Sequence, residues 1–154
     1  MNAKIRKREI NLITLGSGVI LVGLWIFLKF ALTLLIHGNE IEEEFPSVVI
    51  FWANVILWII AALILLMSLY IGLSARAEGK GKKKTIVYLI LSGVMACFDL
   101  IIVILDAYLL FAPTSDIFNV IVTLIIDATV LVMLVELIVN AVGVRRLRKE
   151  EAKA

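Results

Sequence analysis

Residues 85–112 read TIVYLILSGVMACFDLIIVILDAYLLFA, an apolar run interrupted by two carboxylates and by no lysine or arginine. A run of this length exceeds the roughly 20 residues that a helix needs to cross a hydrocarbon core ~30 Å thick. Its polar residues are periodic. Thr85, Ser92, Asp99 and Asp106 recur at heptad spacing with Tyr88 and Met95 beside them, so one face of a helix carries a polar stripe along nearly its whole length. A helix that is apolar on most sides and polar on one is dissolved in lipid and packed against company.

The same reading extends outward in both directions. Apolar runs at about 10–36, 46–74 and 117–144 accompany the run at 85–112, and together they take up most of the 154 residues. The chain is 62% hydrophobic and 18% charged, with a mean hydropathy of +1.08, which is too apolar for a small water-soluble domain. The second run repeats Ser47, Asn54, Ala61 and Ser68 on the heptad period, and the first carries Asn11, Gly18 and Trp25, with Lys29 and Thr33 on the same face. Sustained heptads of small and polar residues predict an all-α fold: one transmembrane domain of four helices, packed as a left-handed antiparallel bundle whose interior these stripes line.

Charge sets the expected orientation. All but one of the 15 Lys and Arg residues fall before the first span, in the second loop (75–84) or after the last span. The first loop (37–45) holds Glu40, Glu42, Glu43 and Glu44 and no basic residue. The positive-inside rule then puts both termini in the cytoplasm of a multi-pass protein of the plasma or cytoplasmic membrane. The basic runs read as topology determinants with secondary contact to anionic lipid. A nucleic-acid role is not expected, since no aromatic platform accompanies the charge. The start of the chain has a signal peptide's basic residues but an apolar stretch far too long for one, so it reads as an uncleaved first span. Pro46 is expected in the first turn of the second helix, Pro113 at the end of the third, and Ser115 or Asp116 at the cap of the fourth.

Aromatic residues support these limits. Tyr70 and Tyr88 are expected at the cytoplasmic interface, and Phe45, Phe51, Trp52, Tyr108, Phe111 and Phe118 at the outer one. Trp25 and Trp58 lie too deep for either belt and are assigned to helix packing.

The candidate functional residues are the polar groups that lipid should exclude. Lys29, Asn54 and Asp106 fall at one depth, roughly 10 to 12 Å below the outer boundary at 1.5 Å per residue, which predicts a Lys29–Asp106 ion pair bridged by Asn54. Asp99 lies near mid-membrane, with Asp127 slightly above it. With one intramembrane lysine set against Asp99, Asp106, Asp127 and Glu136, most of these acids must be protonated, hydrated, or neutralised by an ion, a ligand or another chain. The fourth span divides its polar residues between two faces: Asn119, Thr123 and Asp127 on one, Thr129, Glu136, Asn140 and Gly143 on the other. Glu136 and Asn140 are therefore expected at a water-filled vestibule or against a partner, either a second copy or another membrane protein, unless Glu136 reaches toward Arg145 and Arg146.

Other chemistries lack their residues. Cys97 is single and sits inside the third span, and His37 is the one histidine, so no metal or haem cluster, cofactor or disulfide is expected. No nucleophile triad, phosphate loop or dinucleotide fingerprint occurs, and the acidic loop lacks the spacing of a calcium loop. The sequence reads as a non-enzymatic membrane protein. Two functions fit it: proton- or cation-coupled transport or permeation through the intramembrane carboxylates, or a subunit or scaffold docking a membrane partner through its polar intramembrane residues.

Overall fold

The computed structural model describes residues 3–37, 47–82, 85–111 and 117–153, with the side chains at 33–37, 47, 49 and 50 left out. The acidic loop, the turn around Pro113 with its caps at Ser115 or Asp116, and the expectations for Phe45, Pro46, Lys83 and Lys84 lie outside the described residues, as do the side chains of Thr33, His37 and Ser47. The described chain is all helical: α1 (Ala3–His37), α2 (Ser47–Gly79), α3 (Val87–Leu109) and α4 (Ile117–Glu151). All four are long and apolar enough to cross a membrane.

Helix limits depart from the sequence reading mainly at the basic end. Residues 3–9 continue α1 toward the N-terminus, whereas the charged continuation of α4 through its arginines to Glu151 is what the sequence predicts. The second helix passes position 74, where its apolar run stops, and ends at Gly79. Packing explains this extension, since Ala75 and Glu78 are buried against neighbouring helices. The stop is a glycine cap. Gly81 takes the left-handed φ of +88°, its N–H donates to the carbonyl of Glu78 at 3.0 Å, and the N–H of Lys82 donates to the carbonyl of Ala77 at 3.0 Å. These are the two bonds that close a helix C-terminus around an αL residue.

Helix α1 packs along both α2 and α4, while α3 packs along α4. The α1–α2 contact is a close backbone approach. A methyl group added at Gly16 would lie 2.7 Å from the carbonyl oxygen of Gly72, nearer than a Cβ can come. In lipid, such small-residue contacts replace the hydrophobic drive that water would supply, because they let two backbones gain dispersion contact.

Burial is concentrated toward one end. The core comprises Leu12 and Val19 of α1, Ile71 and Ala75 of α2, Tyr88, Leu89 and Ala96 of α3, and Val130, Leu134, Leu137 and Ala141 of α4. All of these but Val130, which sits near the middle of α4, lie in or border the half that holds the described termini. Beyond Gly23, Ala61, Ala96 and Val130, away from the basic end, the described side chains are exposed or half-buried, and Phe51, Trp52, Tyr108, Phe111 and Phe118 stand exposed at the far rim. Cys97 is exposed on α3.

Three expectations change with this arrangement. The inward face of α1 is the apolar heptad Ile5, Leu12 and Val19; of the expected stripe, Gly18 is half-buried against Met133 of α4, while Asn11, Trp25 and Lys29 are exposed. Trp25 is 55% exposed, although Trp58 does pack against α1, its ring meeting Phe27 edge-on at 6.1 Å. Tyr88 is 1% exposed and belongs to the core, not to an interfacial belt. The stripes on α2 and α3 keep their inward direction: Ala61, Ser68 and Ser92 are buried, and Asn54, Asp99 and Asp106 are half-buried.

Candidate functional site

The hydroxyls of the stripes satisfy themselves. Ser68 donates to the carbonyl of Ile64 at 2.8 Å, Ser92 to Leu89 at 3.0 Å, Thr123 to Asn119 at 3.0 Å and Thr129 to Ile125 at 2.7 Å. A hydroxyl that bonds its own helix can sit in lipid without a partner helix. Asn140 behaves likewise, donating from Nδ2 to the carbonyl of Glu136 at 2.8 Å. A carboxylate has no proton to donate and cannot use this route.

The acids are brought together instead. Asp127 of α4 lies beside Asp106 on α3 and within electrostatic range of Lys29 on α1, and Asp99, one heptad below Asp106, lies within range of Asp127. The pairing of α3 with α4 makes this convergence possible, because antiparallel helices place residue 106 beside residue 127. Asp127 therefore has a cation within electrostatic range. The Oδ2 atoms of Asp99 and Asp106 are buried and have no hydrogen-bond partner. Asn54 is half-buried on α2. Among the described residues, no three histidine, cysteine or acidic side chains gather closely enough to hold a metal ion.

A second constellation closes the basic end, and the sequence reading does not single out its central residue. Glu78 is 2% exposed and receives Arg145 in a two-pronged pair, Nε to Oε1 at 2.6 Å and a terminal guanidinium nitrogen to Oε2 at 2.7 Å. The Tyr88 hydroxyl donates to Glu78 Oε2 at 2.7 Å, and the Arg145 guanidinium lies 5.6 Å from the centre of the Tyr88 ring. Arg148 bonds Glu9 Oε1 at 2.6 Å and the carbonyl of Glu78 at 3.0 Å. One network thus ties α1, α2, α3 and α4 together. Planar, bidentate, charge-assisted bonds of this kind hold geometry better than point charges do.

The signal for Glu78 is present but faint. It is the one acid in a basic loop, and it falls one heptad after Ile71, which is buried. With Arg145 engaged by Glu78 and Arg146 paired with Glu150 at 3.1 Å, Glu136 does not reach the arginines as one alternative expected. Glu136 is exposed on the outward side of α4, among the exposed Val132, Val135 and Val139. No protein-family model, curated protein or solved structure matches the chain.

Proposed function

We propose that the chain is a small membrane protein that handles protons or cations, with Asp99, Asp106 and Asp127 as the binding groups and Lys29 as their counter-charge. The observation that carries this reading is the placement of Asp106 beside Asp127 on the α3–α4 contact, with one buried carboxyl oxygen of Asp106 and one of Asp99 left without a partner. Two carboxyl groups set side by side repel each other when both are ionised, which favours one shared proton, and such a pair takes up or releases that proton when its surroundings change. The Glu78–Arg145 network stands at the opposite end as a closed inner gate, with both termini and the basic loop on the cytoplasmic side. Asn54 lies toward the outer side as a polar lining residue.

Reconstitution in vesicles with a pH-sensitive dye inside tests the proposal. An imposed pH or cation gradient should drive proton movement that Asp127→Asn and Asp99→Asn abolish while the protein still assembles. Equal flux in the wild type, the variants and empty vesicles would sink it.

A second reading, a membrane subunit or scaffold, rests on Glu136. A carboxylate exposed among valines on a spanning helix is costly in lipid and is relieved by a partner chain, in a homo-oligomer or a complex with another membrane protein. Native mass spectrometry of the protein in mild detergent separates the readings: a co-purifying partner lost on Glu136→Gln supports the subunit.

A further inference from the structure

At the basic end, α3 and α4 enclose a cleft of about 380 Å³ whose floor is Ile86, Leu89 and Val142 and whose rim carries Arg146, Lys149 and Lys153. The volume falls in the roughly 300–1,000 Å³ range of small-molecule sites. Arg145 also reaches the cleft but is committed to Glu78, and Glu150 contributes one opposing charge through its 3.1 Å pair with Arg146. The rim is therefore net positive, and it stands where an apolar helix surface gives way to charged ends.

A second feature adjoins it. One turn along α3 from Ile86, a groove of about 460 Å³ runs over Ile90, Gly93, Val94, Cys97, Phe98 and Ile101. Gly93 makes the hollow, since a methyl group placed there would meet nothing within 4 Å. From Ile90 to Ile101 the groove extends roughly 16 Å along the helix at 1.5 Å per residue. A basic cleft continued by an apolar furrow into the membrane matches an anionic head joined to a hydrocarbon tail.

We infer that the α3–α4 basic cleft binds the phosphate of an anionic phospholipid, with one acyl chain lying in the Gly93 groove. Basic pockets between spanning helices are suited to such heads because each exposed cation near the surface strengthens anion binding about fivefold. The groove distinguishes a lipid from free phosphate, which would need the rim alone.

The full chain in nanodiscs, extracted for native mass spectrometry, tests the site with two probes, phosphatidylglycerol and phosphatidylcholine. The wild type should retain phosphatidylglycerol preferentially. Lys149→Glu combined with Lys153→Glu should reduce that retention about tenfold or more, and Glu150→Gln should raise it. These side chains are exposed, so the fold tolerates their exchange. Gly93→Leu fills the groove and should lower lipid retention with the helical signal and melting temperature unchanged. Equal retention of the two lipids, or retention untouched by charge reversal, would overturn the inference. So would displacement of the lipid by millimolar inorganic phosphate together with full retention in Gly93→Leu, which would mark a free-phosphate site.

Discussion

The two ends of the molecule solve the problem of polar groups in lipid in opposite ways. At the basic end, Glu78 has its charge matched by Arg145 and a lone pair occupied by Tyr88, and the same end holds the fully buried Leu12, Ile71, Leu134 and Leu137. Toward the opposite end, Asp99 and Asp106 each keep a buried oxygen without a partner, and most described side chains around them are exposed or half-buried. A satisfied network rigidifies, whereas an unsatisfied one is a demand for a ligand, a proton or water. The comparison therefore separates a structural polar cluster from a candidate functional one by bonding, when both carry charge.

The largest expected effect comes from breaking the satisfied end. Glu78→Ala leaves Arg145 without its counter-charge and removes the acceptor of Tyr88, and losing one member of a buried pair costs about 3–5 kcal/mol. Thermal or denaturant unfolding in detergent should show this loss. Removing Arg145 as well should cost less than the two single changes added together, because the second deletion relieves the charge stranded by the first. A Glu78→Ala protein as stable as the wild type would show that the network does not hold the helices.

Backbone proximity makes the next prediction. Gly16→Val places a branched side chain against the Gly72 carbonyl and should destabilise by about 1–3 kcal/mol through overpacking. Gly93→Ala should be neutral or stabilising by up to about 1 kcal/mol, since it meets open space and improves helix propensity. The pair sharpens the contrast between a glycine needed for approach and one that leaves a hollow.

Much of this contrast is legible in the sequence, in unequal measure. Four apolar runs and the heptads on the second and third spans lead directly to four helices and to the inward faces of Ala61, Ser68 and Ser92. The inward face of α1 is misread because Asn11, Trp25 and Lys29 look like an interior polar stripe, while Ile5, Leu12 and Val19 repeat on the same period and are indistinguishable from lipid-facing residues by polarity alone. Glu78 escapes notice because a lone acid among lysines reads as a solvated loop, and its burial depends on arginines 67 and 70 residues away. The meeting of Asp106 with Asp127 requires knowing that α3 pairs with α4. Spacing along one helix cannot supply a contact between two.

Neutralising the acids at the opposite end should affect stability little. Asp106→Asn or Asp127→Asn removes a charge that is poorly compensated in the folded state, and the unfolding free energy should remain within about 1 kcal/mol of wild type or rise. Flux should be lost in the same variants if the proposed function holds. A loss of several kcal/mol would instead make the acids a second structural network and erase the distinction between the two ends.

The smallest effect is expected at Arg146, which adjoins Arg145 in the chain yet belongs to a different physical situation. Its side chain is 81% exposed and its partner Glu150 is 58% exposed, one helical turn away on α4. Exposed pairs at this spacing contribute about 0.3–0.5 kcal/mol and are screened by salt. Arg146→Ala should therefore leave the melting temperature in detergent nearly unchanged, and added salt should remove what difference remains. Arg145→Ala measured beside it should lose several times more and respond weakly to salt, because Glu78 is shielded from solvent. Equal losses in the two variants would mean that burial of Glu78 does not govern the strength of its ion pair.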